Sequence, residues 1–387
     1  MRRLMIAERP DWKAQAESLG FSFHTMYGEA YWDETRAWSF TLEEIETRIE
    51  DPSAELHAMC LHAVDHVIRN EELMERLAIP AFARDAVAGS WFRRDPHLYG
   101  RFDLAYDGRG PAKLLEYNAD TPTSIYEAGF FQWNWLEDQI AAGVLPRHAD
   151  QFNAIQEALI ARMAEIFPLG SAVHFTSAAE NVEDRQTVLY LEDCAAQAGL
   201  TPCYVPLEAI GIDDQGRFAD DQSRVIERMF KLYPLEQMLR DQFGEVLVRS
   251  PVQMVEPLWK SILSNKGILP VLWKMFPNHP NLLPSFFEDE VDADALGTSY
   301  VKKPIFSREG ANVTLLRAGQ IEEAGEGEYG AEGHVLQAYA PLAQEGDDHA
   351  VIGSWIVGDA ACGMGIREDR SLVTKDMSRF VPHVILD

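Results

Sequence analysis

The chain has 387 residues, of which 47% are hydrophobic, and this length suits about two to three structural units. Its 62 acidic residues outnumber its 34 basic residues and give a formal net charge of −28, which argues against nucleic acid or an anionic membrane as a partner. The four cysteines lack CxxC spacing and no apolar run reaches about 18 residues, so we expect a protein of the reducing cytoplasm with small-molecule partners.

Helices dominate the predicted N-terminal region. Thr41 to Glu44 has the sequence of a capping box, and apolar residues at helical spacing follow it. A helical run from about residue 54 to about 77 contains His62 and His66 four positions apart. This spacing could hold a metal, but no HExxH motif or third ligand is nearby, so we interpret both as packing or surface histidines. An aromatic-rich helical segment near 124–142, assigned to the core, and a helix near 151–166 follow.

Before these two segments, at residues 101–118, the sequence predicts a β-hairpin with polar side chains on one face. Arg101 shares a strand face with Asp103, and Glu116 shares one with Asn118. If the loop holds the six residues Asp107–Ala112, Asp103 stands opposite Glu116. Two opposed carboxylates need a cation, for which a divalent ion with oxygen ligands or Arg101 alone would serve. The alternative is a solvated hairpin face with a surface ion pair.

The pattern changes at about residue 171. A short apolar run, a helix from about Asp184 to Ala198 and a second run at Cys203 predict a βαβ unit. The polar turn Asp213–Gly216 begins another such unit, which we expect to run towards a strand at Val246–Arg249. Strands are predicted to dominate after about residue 273.

Basic residues lie at the ends of strand-like runs in the C-terminal part. A run that begins at Tyr300 and ends in lysine continues into the loop Ser307–Asn312, which carries a hydroxyl, a guanidinium and a glycine. This composition suits a phosphate, because lysine offers a point charge, arginine a forked donor, and glycine allows backbone N–H groups to approach. The alternative is a charged hairpin turn. With Lys266, Arg367 and an acidic hairpin for magnesium, the parts of a nucleoside triphosphate site are present.

Four ordered motifs resemble the glutathionylspermidine synthase family, in its synthetase domain and its stand-alone acid–amine ligase type. They are Leu115–Thr121, Glu256–Trp259 with Asn265–Pro270, Tyr300–Asn312, and Val357–Gly358 with Arg367 and Ser371–Val373. The resemblance covers nearly the whole chain. It implies an α/β (α+β) ATP-grasp fold, in which the nucleotide lies between two β-rich lobes. The implied domains are 1–170, an N-terminal helical region and metal-binding hairpin that is part of the ATP-grasp core; 171–255, a Rossmann-like pre-ATP-grasp unit; and 256–387, the nucleotide-binding lobes.

The resemblance also implies a role for each candidate site residue. The magnesium ligands would be Asp103, Glu116 and Asn118. The residues that contact the transferring phosphate or acyl group would be Arg101, Arg308 and Arg367. The ATP-binding residues would be Lys266, Lys303, Glu309, Gly310, Gln337, Ala338, Tyr339, Ala340, Leu372, Val373 and Thr374. The substrate-binding residues would be Thr121, in place of a family serine, with Glu183 and Asp184 at an acidic amine-binding position.

The implied reaction joins a carboxylic acid, for example a peptide, to an amine, for example a polyamine, with ATP and Mg²⁺ as cofactors. The acid attacks the γ-phosphate, and the amine attacks the resulting acyl phosphate. Positioning and charge neutralisation dominate phosphoryl transfer, so no nucleophilic side chain is required. We expect no counterpart of the amidase domain of bifunctional members in this chain, and therefore no cleavage of the amide that it makes. The segment 230–237 keeps little of the family pattern, so the acid and the amine stay unassigned. The alternatives are a small-molecule kinase and a non-catalytic ATP-binding scaffold.

Overall fold

Helices and strands follow one another in mixed order in the computed structural model, which describes residues 1–26, 28–375 and 378–387. The α-helices are α1 Trp12–Ser18, α2 Leu42–Ile45, α3 Asp51–Val67, α4 Glu71–Arg76, α5 Arg84–Phe92, α6 Gln132–Ala141, α7 Ile155–Ile166, α8 Val182–Gln197, α9 Leu235–Met238, α10 Gly244–Leu247, α11 Ile268–Met275 and α12 Ala293–Leu296. None of the helices in this described part of the chain combines the length and the apolar character that crossing a bilayer requires.

The strands occur in both halves of the chain. They are β1 Arg2–Met5, β2 Thr25–Met26, β3 Glu29–Ala30, β4 Arg36–Phe40, β5 Tyr99–Ala105, β6 Lys113–Asn118, β7 Ala172–Ser177, β8 Thr201–Tyr204, β9 Gly211–Ile212, β10 Phe218–Ala219, β11 Arg228–Leu232, β12 Gln253–Val255, β13 Ser285–Phe287, β14 Tyr300–Pro304, β15 Thr314–Arg317, β16 Gln320–Ala324, β17 His334–Ala338, β18 Ala343–Glu345, β19 Asp348–Val357, β20 Ala360–Asp369, β21 Arg379–Val381 and β22 His383–Ile385. This mixture confirms the predicted α/β class.

The predicted capping box starts the N-terminal helical region. Thr41 Oγ1 accepts a hydrogen bond from Glu44 N, and the Glu44 carboxylate accepts one from Thr41 N, each at 3.1 Å. The helical run predicted after it is interrupted, because Asn70 caps a separate helix, α4, with its side chain. His62 and His66 lie exposed on α3, in agreement with their interpretation as surface histidines.

A four-stranded parallel sheet forms between residues 172 and 255, with the order β12-β11-β7-β8. The strands β7 and β8 flank α8, so the predicted βαβ unit is confirmed. The strand expected towards Val246–Arg249 is wrong, since Val246 and Leu247 lie in α10 and the strand follows at β12. Short apolar runs do not distinguish a buried helical turn from a strand, and here Leu247 packs against Leu235 and Met238. The domain boundaries themselves stay a prediction.

Two antiparallel sheets supply the walls around the polar hairpin. One has the order β13-β17-β14-β15-β16. The other has the order β21-β20-β19-β5-β6, with β18 also paired to β19, and thus joins strands from residues 99–118 to strands from residues 343–381. Behind the second sheet, buried side chains of α3 and α11, such as Leu56 and Leu272, pack with Phe102 and Tyr117 in one apolar core.

Candidate active site

The predicted hairpin is formed by β5 and β6, and its polar residues meet as expected. Asp103 pairs with Glu116, and Arg101 pairs with Asn118. The Asn118 Nδ2 group lies 3.1 Å from Glu116 Oε1 and 3.4 Å from Asp103 Oδ2, so one amide donates to both carboxylates. The side chains of the two strands therefore converge on one face, which the sequence predicted.

A β-bulge brings about this register. The sequence predicted a loop of six residues, but the last pair of the hairpin is Ala105 with Lys113, so the loop runs from Tyr106 to Ala112. Continued without interruption, that pairing would place Leu115 opposite Asp103 and would direct Glu116 to the other face. The register shifts between Asp103 and Leu104, and the bulge restores the alignment of the carboxylates.

Two arginines neutralise Asp103. Arg101 Nε lies 2.6 Å from Asp103 Oδ1, and Arg367 Nη2, from β20, lies 2.7 Å from Asp103 Oδ2. Arg101 can lie across β19 because Gly353 has no side chain, since a Cβ there would be 2.7 Å from Arg101 Cδ. The buried carboxylate thus accepts from two guanidinium groups, which are brought together by adjacent parts of one sheet.

Two lysines surround Glu116. Lys266 Nζ lies 3.0 Å from Glu116 Oε2 and donates to the Ser307 carbonyl at 2.9 Å. Lys303 Nζ donates to Gln337 Oε1 at 2.7 Å. Burial opposes ionisation of Glu116, but the charges of Lys266 and Lys303 outweigh it and hold the pKa of this carboxyl well below its usual range. Burial lowers the pKa of Lys303 to about 8, although Glu116 opposes the shift.

These groups line a cavity of about 450 Å³ between the two antiparallel sheets and the end of the parallel sheet. Every metal, catalytic, nucleotide-binding and substrate-binding residue predicted from the sequence lines this cavity. The structure therefore brings together residues from 101 to 374 that are far apart along the chain. Their individual roles stay predictions.

The loop after β14 crosses the cavity. Arg308 Nη2 donates to Thr121 Oγ1 at 2.7 Å and lies 3.6 Å from Glu236 Oε1, so this arginine contacts the predicted substrate wall. Gly310 has a φ of +71°, and a Cβ there would be 2.6 Å from Val373 Cγ1. The position requires glycine for both its conformation and its close contact with the segment 371–375.

Glu323 on β16 joins that segment to the neighbouring sheet, which the sequence analysis missed. It accepts hydrogen bonds from Leu372 N, at 3.0 Å, and from the Ser371 hydroxyl, and it lies 3.2 Å from Lys375 Nζ. Burial opposes ionisation of Glu323, but Ser371 and Lys375 lower its pKa and favour the carboxylate. The charged Glu323 carboxylate thus holds the segment 371–375 at the edge of the cavity. The sequence did not indicate this role, because Glu323 is far from that segment along the chain.

The end of the cavity near α8 is acidic. Burial raises the pKa of Glu183, and burial with the nearby Glu183 charge raises the pKa of Asp184 to about 6. Behind this wall Glu127, 1% exposed, accepts a hydrogen bond from Tyr31 Oη at 2.6 Å. Burial and Glu183 raise the pKa of Glu127 to about 7. The sequence did not indicate Tyr31 or Glu127, because they are nearly 100 residues apart and belong to no motif.

A buried ion pair connects the hairpin to the parallel sheet. Lys231 on β11 and Asp120 after β6 contact each other through Nζ and Oδ1, and both side chains are almost fully buried. Asp120 Oδ2 also accepts from Leu235 N at 2.7 Å. The sequence offered one sign of this pair, which is a lysine, Lys231, within an apolar strand. A buried lysine requires a partner of opposite charge.

Several known proteins resemble this chain over most of its length. The sequence profile of the family described as "Glutathionylspermidine synthase preATP-grasp" matches residues 3–386. A Haemophilus influenzae protein named "Putative acid--amine ligase" is 40% identical over 390 residues, which cover 97% of each chain. The "Bifunctional glutathionylspermidine synthetase/amidase" of Escherichia coli is 29% identical over 89% of this chain and 58% of its own length. The structure of a glutathione synthetase-like effector from Globodera pallida, 12% identical, matches 90% of this chain and 89% of its own with a TM-score of 0.57, so the two share a fold.

Proposed function

This chain belongs to the glutathionylspermidine synthase family, and we propose that it is an ATP- and Mg²⁺-dependent ligase that joins a carboxylic acid to an amine. The observation that carries the proposal is the meeting of oxygen donors and cationic groups in one cavity between two antiparallel sheets. The oxygen donors belong to Asp103, Glu116 and Asn118, and the cationic groups to Arg101, Lys266, Lys303, Arg308 and Arg367. The same arrangement supports an ATP-grasp fold, with the nucleotide held between the two sheets.

The oxygen donors suit magnesium. Carboxylate and amide oxygens are the ligands that a hard divalent ion prefers, and Asp103, Glu116 and Asn118 supply both kinds. Asn118 directs its Nδ2 to both carboxylates, so rotation of the amide would present its oxygen to an ion. When bound, the ion would neutralise phosphate charge and orient the phosphoryl group.

The basic residues would divide the work of phosphoryl transfer. Lys266, which pairs with Glu116, and Lys303, whose charge also acts on Glu116, would hold the nucleotide phosphates. Arg101 and Arg367, which both reach Asp103, would face the substrate carboxylate and the phosphoryl group that it attacks. Arg308 would neutralise the same phosphoryl group from the loop above. No side chain has to become a covalent nucleophile in this scheme.

The resulting acyl phosphate would need protection from water. The loop 305–313 and the segment 371–375 contact each other at Gly310 and Val373, and Glu323 holds the second of them in place. We propose that these segments cover the reacting groups.

The acidic end of the cavity supports an amine substrate that carries positive charge, such as a polyamine. Glu183 and Asp184 lie where they would attract an ammonium group. The amine must lose a proton before it attacks, and Glu127, whose pKa is about 7, would accept one through Tyr31. This assignment concerns chemistry only and names no particular acid or amine.

A screen of acid and amine pairs tests the proposed reaction. The purified chain with ATP and Mg²⁺ should release ADP only when both substrates are present, and mass spectrometry should detect the amide. Phosphorylated acid that accumulates equally without amine would instead establish a kinase. ATP binding with no ADP from any pair would favour the scaffold. Glu116→Gln, which keeps the size of the side chain, should abolish the magnesium-dependent turnover; if it does not, the metal assignment is wrong.

A further inference from the structure

Three side chains with metal-binding groups meet on the face of the β5–β6 hairpin that is opposite to the cavity. His57 lies on α3, His97 lies just before β5, and Asp359 lies in the turn between β19 and β20. Asp359 Oδ1 is 3.0 Å from His57 Nε2 and 3.2 Å from His97 Nε2. All three candidate ligand atoms lie within 4.8 Å of one another. None of these three residues lines the proposed ATP site.

We propose that His57, His97 and Asp359 form a second metal site, which binds a borderline transition-metal ion and Zn²⁺ in particular. Two imidazole nitrogens and one carboxylate oxygen are ligands that Zn²⁺ accepts, with bonds of about 2.0–2.2 Å. Tetrahedral ligands at those distances stand about 3.3–3.6 Å apart. The two nitrogen–oxygen distances, 3.0 and 3.2 Å, are slightly shorter than this. Magnesium is excluded from this assignment because it prefers oxygen ligands.

The surroundings of the three ligands suit such an ion. The two histidines are 2% and 7% exposed, whereas the Asp359 side chain is 69% exposed, so one side of the site is open to water for a fourth ligand. His57 Nδ1 lies 3.3 Å from the Tyr117 hydroxyl, an outer hydrogen bond of the kind that metal-bound histidines make.

Two positive charges stand close to the site, and each has a carboxylate partner. Arg162 Nε donates to the His97 carbonyl at 3.0 Å, and Arg162 Nη1 lies 3.1 Å from Glu165 Oε2. The other charge belongs to Lys260. It is fully buried and forms an ion pair of 3.0 Å with Glu256, which offsets its charge. The remaining alternative is a plain hydrogen-bonded bridge, in which both imidazoles donate to Asp359 Oδ1 without any ion.

Zinc titration of the intact, chelator-treated chain distinguishes these arrangements. The calorimetric titration uses ZnCl₂ in the presence of excess MgCl₂, which occupies the oxygen ligands of the proposed ATP site. Asp359→Asn tests the site without a buried change, and His97→Gln tests a buried ligand. His62→Ala and His66→Ala are matched controls, because both lie exposed on the same helix as His57.

We expect the wild type and both controls to bind one Zn²⁺ per chain and to melt at a higher temperature when zinc is present. Asp359→Asn should weaken this binding at least about tenfold and remove most of the thermal shift. A wild type that binds no stoichiometric zinc would overturn the proposal, as would Asp359→Asn and His97→Gln variants that bind zinc as the controls do. Because the assay needs no substrate, its outcome is independent of the proposed ligase activity.

Discussion

Replacement of Lys231 by methionine should destabilise the protein strongly. Lys231 and Asp120 form an ion pair whose side chains are 0% and 1% exposed, and it links β11 to the segment after the β5–β6 hairpin. Lys231→Met keeps much of the apolar length of the side chain but leaves the Asp120 carboxylate buried without its cation. The Leu235 backbone N–H would still donate to that carboxylate, at 2.7 Å.

The size of the effect follows from the burial of the pair. Removal of one partner from a buried ion pair costs about 3–5 kcal/mol, because an uncompensated charge remains in an apolar environment. An unfolding entropy of about 2.1 cal/mol/K per residue gives about 0.8 kcal/mol/K for the 387 residues of this chain. The expected decrease in melting temperature is therefore about 4–6 °C.

A double-mutant cycle followed by thermal unfolding tests this reasoning. Asp120→Asn should also destabilise the protein, because Lys231 loses its charged partner. The double variant Lys231→Met with Asp120→Asn should be more stable than either single variant, since no charge remains buried and the amide oxygen can still accept from Leu235 N. Arg69→Met, in the exposed pair with Asp65, is the control and should leave the midpoint unchanged. A double variant whose loss equals the sum of the single losses would refute the account.

Three further predictions concern the proposed ATP site. Lys303 is protonated below its pKa of about 8 and neutral above it, so the ATP affinity measured by calorimetry should fall as the pH rises through about 8. Lys303→Arg should remove this pH dependence. A wild-type affinity that stays constant from about pH 7 to 9 would contradict the prediction. Gly310→Ala should raise the KM for ATP, because the added methyl group would meet Val373. Gly319→Ala is the control, since Gly319 has a similar φ of +78° but lies in open space, and it should leave the KM unchanged. Equal effects of the two substitutions would exclude the contact with Val373 as the cause. Arg308→Lys should lower kcat more than it weakens ATP binding. Arg147→Lys, at an exposed position, is the control. An Arg308→Lys variant that loses only ATP binding would remove the proposed role of Arg308 in phosphoryl transfer.

The sequence predicted those parts of the fold that depend on residues close together in the chain. The capping box at Thr41, the unit of β7, α8 and β8, and the strand that begins at Tyr300 all formed where the pattern indicated. Each depends on local backbone preference or on the period of apolar residues, which are properties of a short segment. The short run at Val246 was assigned wrongly because its length left helix and strand equally possible.

The candidate site was predictable wherever a motif carried its residues. The predicted site residues, all of which line the cavity, were identified through the hairpin and through the resemblance of four motifs to a family. Tyr31, Glu127 and Glu323 were missed, since their significance comes from partners or neighbours far away in the sequence. His57, His97 and Asp359 were missed for the same reason, whereas His62 and His66 attracted attention only by their spacing.

By itself, the sequence determined which face of each hairpin strand is polar, because the alternation of side chains along a strand is a local property. Tertiary structure decided that Asp103 faces Glu116, since the loop is longer than expected and a bulge restores the register. It also decided which cations reach these carboxylates, because Arg367 lies on β20 and Lys266 in the turn before α11, both far from the hairpin along the chain. Contacts of this kind depend on how whole sheets pack together, and no short stretch of sequence contains that information.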